Sequence, residues 1–191
     1  MTAEALDDHF LTAIRDLRTR ASDRRIDDAL LLEYFDAQLQ SRHLDFAARE
    51  MQRRGEGFYT IGSAGHESNA ALGMLTRVTD PALLHYRSGG FYAARASLKG
   101  GTTPIRDVLA GCAASTLDPI SAGRHKVFGN PALNILPQTS TIASHLPRSV
   151  GLALALARMQ KLDLDAPWPV DSVVVCSFGD ARRIIRPRRA Q

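Results

Sequence analysis

The sequence predicts an α/β fold in which a parallel sheet is flanked by helices. Two strand-like runs carry that expectation: Ala82–Tyr86, which passes through Gly89-Gly90 into a helical pattern, and Ser172–Phe178 (SVVVCSF), which ends in Gly179-Asp180. The stretches between and before them repeat apolar residues at helical steps. At 191 residues the chain corresponds to one domain or to part of a larger one. Its 45% hydrophobic and 23% charged residues are those of a globular protein, which excludes wholesale disorder, collagen and coiled coil.

The elements follow in order. Residues 1–27 are a charged arm with weak helical spacing at Phe10, Ile14 and Leu17. From Asp28 to Arg54 the positions Leu32, Phe35, Leu39, Phe46, Ala47 and Met51 predict a long amphipathic helix, capped by Asp27 or Asp28 and ended at Gly55. Gly55, Gly57 and Gly62 mark a loop around Phe58 and Tyr59, and a second helix is expected from Ser63 or Gly65 to Thr76. Asp80-Pro81 breaks it before the strand Ala82–Tyr86, and Gly89-Gly90 opens a helix through Lys99. Gly100-Gly101 ends that helix, and Thr103-Pro104 starts another to about Ala114. Ser115–Pro147 lacks periodicity and is read as one long loop. Pro147 then suits the first turn of a nearly all-Ala/Leu helix to Leu162, apolar on most faces and expected to be buried. After a connector around Trp168, Ser172–Phe178 is expected to be a fully buried parallel strand.

Several function classes fall away. The longest apolar run, Val150–Ala157, is far below the roughly 20 residues of a membrane span, so no membrane partner is expected. No Lys or Arg occurs in the first ten residues, which argues against a presequence and makes a cytoplasmic location the default. Cys112 and Cys176 sit far apart in apolar settings, as reduced thiols do. The net charge of +4 comes from a basic tail, residues 182–191, with five arginines; without them 19 basic residues meet 20 acids. A neutral body with a short tail that lacks aromatic interleaving does not predict nucleic-acid binding.

Four places could carry chemistry. Asp180 follows a strand and a glycine, where open α/β sheets present a carboxylate to a metal or ribose; an ordinary turn has the same sequence. Tyr86-Arg87 also follows a strand and precedes Ser88-Gly89-Gly90, so a phenol and a guanidinium fork could grip phosphate, or simply make a surface turn. Gln138–Pro147 (QTSTIASHLP) gathers hydroxyls and carbonyls that could cradle a ring or a monovalent cation, or cap the following helix. His66-Glu67 reads as helix capping, and Arg124-His125-Lys126 as a solvated patch.

Taken jointly, the order is a long helix, Gly-Phe-Tyr, Gly-His-Glu, Tyr-Arg-Ser-Gly-Gly-Phe, a glycine-containing loop, Thr-Ser-Thr-Ile-Ala-Ser-His-Leu-Pro, an Ala/Leu helix and Phe-Gly-Asp. Over residues 28–181 this resembles the α subunit of thiamine diphosphate-dependent 2-oxoacid dehydrogenases, the E1 component, most nearly the branched-chain type. The resemblance implies the N-terminal part of a thiamine diphosphate-binding fold. It implies that Tyr86 and Arg87 hold the cofactor's diphosphate, that Ser140 and Ile142 touch its rings, and that Asp180 binds Mg²⁺. It further implies a potassium site at Thr139, Thr141, Ser144 and His145, although the family has Gln where His145 stands and a second Gly where Ala181 stands. The implied activity is oxidative decarboxylation of a 2-oxo acid with acyl transfer to a lipoyl carrier. Its implied partners are an E1 β subunit or fused β half, in an α2β2-type assembly, and a lipoyl-bearing E2 acyltransferase.

The rest of the family's thiamine motif is missing after Asp180, as is every residue of the β half. The expectation is therefore a truncated, incomplete domain. The codons of Arg182–Arg189 can be written so that one restored base yields a family-like Ser-Ala-Asn-His, which makes a frameshift the expected origin of the tail. A truncated strand Ser172–Phe178 should leave an exposed sheet edge. The alternative functional reading is a catalytically inactive fragment that keeps an interaction surface or partial cofactor-binding surface.

Overall fold

A computed structural model describes residues 27–58, 62–124, 127–141 and 143–179, together with Asp8 and Thr12. Most of the N-terminal arm, Tyr59, His125, Lys126, Ile142, Asp180, Ala181 and the basic tail lie outside the described residues.

Helix α1 spans Asp28–Arg53, with Asp27 Oδ1 accepting the Ala29 amide at its start. Gly55 turns the chain at φ 74°, a conformation a side chain would resist. The buried face of α1 is not the expected one. Ala37, Ser41 and Ala48 are buried, whereas Leu32 and Phe35 are 68% and 56% exposed. Small residues win this face because a neighbouring backbone comes close: a Cβ on Gly89 would collide with Ser41 Oγ.

The second helix is shorter than expected. Residues 63–68 form successive turns, with Ser63 O and His66 O accepting amides three residues on, and helix α2 covers only Asn69–Leu75. Glu67 caps no helix; its Oε2 accepts the Gly65 amide at 2.7 Å in the preceding turn. Strand β1 (Ala82–Leu83) leads to helix α3 (Gly89–Lys99), which stops at Gly100 with φ 66°. Helix α4 (Pro104–Cys112) follows, with proline in its first turn as expected.

The stretch 115–147 is not one structureless loop. It holds strand β2 (Phe128–Asn130), a 3-10 turn (Pro131–Leu133) and strand β3 (Ile135–Gln138). Asn134 enters the left-handed region at φ 51°, and its Nδ2 donates to Val78 O. Helix α5 (Leu146–Lys161) and strand β4 (Val175–Cys176) complete the described chain.

The sheet order is β2-β3-β1-β4. Strands β3, β1 and β4 run parallel, but β2 pairs antiparallel with β3, so the sheet is mixed rather than parallel throughout. The protein is thus a mixed α/β fold with a small four-stranded sheet and flanking helices. Its main core packs Ala82, Leu84, Phe91, Tyr92, Ala96, Phe128, Leu133 and Ile135.

Two burial expectations fail. In α5 only Ser149 and Leu156 are buried, and Val150 is 68% exposed. β4 lies at the sheet edge with Val173 and Phe178 in solvent, so it is no fully buried strand, although an exposed edge at this strand was expected. An apolar sequence states a demand for cover, and among the described residues only part of that demand is met. Cys112 is buried and Cys176 half-buried, and neither is in a disulfide. No helix among the described residues is long and apolar enough to cross a membrane.

Candidate functional site

Parallel pairing of β1 with β4 sets Ala82 opposite Val175 and Leu83 opposite Cys176. The segments that follow both strands, Leu84–Ser88 and Ser177–Gly179, therefore leave the sheet at the same carboxyl edge, where α/β sheets bind ligands. They are stitched together. His85 N donates to Ser177 Oγ at 3.0 Å, and the Ser88 and Ser177 hydroxyls lie 2.8 Å apart. Asn69 Nδ2, from the start of α2, reaches Ser88 Oγ at 3.4 Å.

Gly179 is packed under two imidazoles. A Cβ there would stand 3.1 Å from His85 Cε1 and 3.2 Å from His66 Cε1. The two rings are stacked at 6.0 Å, and His85 lies against Tyr86 with ring centroids 3.8 Å apart. Asp180, the next residue in sequence, lies outside the described residues.

Arg87 extends over the Tyr86 ring at 5.3 Å, and its Nη1 donates to Gly62 O at 2.6 Å. Its Nε and Nη2 make no hydrogen bond among the described residues. The Gly62 carbonyl is itself fixed, because Ser63 N and Oγ both donate to Asp45 Oδ2, at 2.7 and 3.0 Å. Burial pushes the Asp45 carboxyl up from its ordinary value, against the Ser63 hydrogen bonds and the Arg42 charge that pull it down. A Cβ at residue 62 would meet that carboxylate at 2.8 Å, so a side chain there would displace Asp45.

The loop before α5 is bonded mainly to itself. Ser144 Oγ donates to Thr141 O at 3.0 Å and accepts from Gln138 Nε2 at 2.9 Å, while the Thr139 and Thr141 hydroxyls lie 3.4 Å apart. Ser140 is half-buried in the same loop, and Ile142 lies outside the described residues. His145 is 1% exposed, and its Nε2 meets Ser177 O at 2.7 Å. A carbonyl only accepts, so Nε2 carries a proton, and Nδ1 is buried without a hydrogen-bond partner among the described residues. The imidazole is thus engaged with Ser177, just past β4, rather than with the oxygens of Thr139, Thr141 and Ser144. Among the described residues no group of three or more His, Cys, Asp or Glu could hold a metal.

The strand-end geometry brings Tyr86, Arg87, His145 and Gly179 to one edge. Sequence reasoning missed Ser177, Ser88, Asn69 and Asp45, which tie these segments together. Ser177 alone left a signal, as the one hydroxyl in the apolar stretch Val173–Phe178. No protein-family model matches the chain, and no curated protein sequence matches it.

Proposed function

We propose that this chain is the α part of a thiamine diphosphate-dependent 2-oxoacid dehydrogenase, acting in the cytoplasm, and that its strand-end edge holds the cofactor's diphosphate and Mg²⁺. The observation that carries the reading is the pairing of β1 with β4, which sets the Tyr86-Arg87 turn beside Gly179, one residue before Asp180. The donor set suits a diphosphate: a guanidinium with Nε and Nη2 outside any described hydrogen bond, and a neighbouring phenol.

Thiamine diphosphate, when bound, supplies the carbanion chemistry of decarboxylation. The chain's own part is to bind and orient. Arg87 and Tyr86 would hold the diphosphate, Asp180 would give Mg²⁺ a hard oxygen ligand, and Ser140 with Ile142 would contact the rings. The oxygens of Thr139, Thr141 and Ser144 would hold a potassium ion, and His145, bonded instead to Ser177 O, would fix the end of that loop. The general base, the second face of the pocket, and delivery to a lipoyl-bearing E2 acyltransferase belong to an E1 β subunit or fused β half in an α2β2-type assembly.

A second reading, an inactive chain with an interaction surface, is favoured by the solvent-facing Val150, Leu154, Val173 and Phe178 of α5 and the β4 segment. The two are separated by titrating the chain calorimetrically with thiamine diphosphate, with and without Mg²⁺. Mg²⁺-dependent binding, weakened about 10- to 100-fold in Arg87→Ala as expected for loss of a charged hydrogen bond, supports the cofactor reading. Absence of binding at millimolar cofactor, or an unchanged affinity in Arg87→Ala, sinks it.

A further inference from the structure

We propose that Ser177 is the positioning residue of the strand-end site, its hydroxyl setting the His85–Ser88 turn, and with it Tyr86 and Arg87, against the Gly179 end of β4. The purpose assigned to this geometry rests on the cofactor reading above; the geometry itself does not.

Ser177 uses each of its polar groups on a different segment. Its amide donates to Leu83 O at 3.1 Å and closes the β1–β4 ladder. Its carbonyl takes His145 Nε2 at 2.7 Å and so anchors the loop before α5. Its hydroxyl accepts the His85 amide at 3.0 Å and pairs with Ser88 Oγ at 2.8 Å. His85 and Ser88 are 3% and 0% exposed, so water cannot readily replace that hydroxyl. Tyr86 and Arg87 lie between these two contacts. The turn that presents both side chains is therefore pinned at each end by one oxygen atom, and that atom belongs to the residue that follows β4 and leads to Gly179.

The division of labour allows a selective test. Ser177→Ala keeps the amide and carbonyl contacts and deletes only the hydroxyl, whereas Ser177→Thr keeps all three. Residue-resolved amide hydrogen exchange on the full chain should show residues 85–88 of Ser177→Ala exchanging about tenfold faster, the cost of one buried hydrogen bond. Residues 143–146, held through the Ser177 carbonyl, should be unchanged, and Ser177→Thr should restore wild-type rates. A general loss of stability would accelerate both segments and would overturn the proposal, as would unchanged exchange at residues 85–88 or failure of Thr to rescue. Should Ser177→Ala not fold, the wild-type His85 amide decides the matter. Protection comparable to that of the Ser177 amide supports the pin, and exchange at the rate of an open turn overturns it. Mg²⁺-thiamine diphosphate binding, measured in parallel, should weaken about tenfold in Ser177→Ala and recover in Ser177→Thr. If even the wild-type chain binds no cofactor, the functional reading fails, while the exchange data still decide whether Ser177 sets the turn.

Discussion

Arg95 offers the sharpest test of how this fold is held behind its candidate site. It is fully buried in α3, where its guanidinium donates to Asp80 O at 2.8 Å, Leu133 O at 3.1 Å and Thr76 Oγ1 at 2.9 Å. Its charge also lies 4.5 Å from the Phe91 ring. Burial pushes the guanidinium down to about 10, with nearby Asp80 pulling the other way, so it is still cationic at neutral pH. Arg95→Met keeps the length and removes the fork. Two buried carbonyls then lose their guanidinium donor, at about 1–3 kcal/mol each, and the cation–π contact is lost as well. Relief from burying a charge offsets part of this, which leaves a net cost of about 2–4 kcal/mol. With a urea m-value of about 2 kcal/mol/M, the unfolding midpoint at 25 °C should fall by about 1–2 M. Arg95→Lys should fare no better, because a compact ammonium cannot span carbonyls contributed by separate segments. A Met variant with an unchanged or raised midpoint and an unchanged slope would refute the reasoning, because the carbonyls would then have found other donors.

Three further outcomes follow from the same contacts. Burial alone would raise the Asp80 carboxyl, but hydrogen bonds from the Arg77 side chain and amide and from Val173 N bring it below 3.8. The stability it contributes is complete above pH 4 and lost as pH falls through its folded value, so Asp80→Asn should flatten the acid limb of a pH–stability curve. Tyr92 is pushed up to about 12, first by burial and further by Asp107 and Asp118, against the hydrogen bond from Asn130. Its contribution is complete below pH 10 and declines as pH rises towards 12, by at most about 3 kcal/mol; Tyr92→Phe should remove that decline in alkaline urea titrations while costing about 1 kcal/mol at pH 7. Gly73 lets α2 lie on α3: an added Cβ would meet Phe91 O at 2.6 Å. Gly73→Ala should therefore lower the melting temperature by several degrees, the overpacking of about 1–3 kcal/mol exceeding the roughly 1 kcal/mol gained in helix propensity.

The sequence was most legible where one local rule decides the outcome. Asp27 caps α1, Pro104 opens α4 and Gly100 closes α3, as each residue type requires. It was least legible where a neighbour decides. β2 and β3, three and four residues long, are too short to show a two-residue period, and their pairing depends on the left-handed turn at Asn134. The stripe Leu32, Phe35, Leu39 looked like a core face, yet α1 buries Ala37, Ser41 and Ala48: Ala37 packs on Ala70, Ala93 and Ala94, and Ser41 lies against the Gly89 backbone. In α5 the pattern recorded how apolar the helix is, and carried no information on what would cover it.

The candidate site follows the same division. Tyr86-Arg87 and Gly179-Asp180 were visible as strand-end segments, since a glycine or an arginine after an apolar run is a local signal. The adjacency of the Tyr86-Arg87 turn to Gly179 needs the sheet pairing and was not legible in the sequence. Strand β1 has β3 on one side and β4 on the other, so the Tyr86-Arg87 turn could have faced either neighbour's end. The residues that settle the choice carry no charge and match no motif: Ser177 and Ser88 bind the turn to the β4 end. Asp45, from α1, acts one step further away through the Gly62-Ser63 loop, fixing the carbonyl that holds the Arg87 guanidinium. The aim of the Arg87 guanidinium at this edge therefore depends on neutral hydroxyls and a distant carboxylate. Under the cofactor reading proposed above, replacing the Ser177 or Ser88 hydroxyl should reduce diphosphate affinity without changing the charge at this edge.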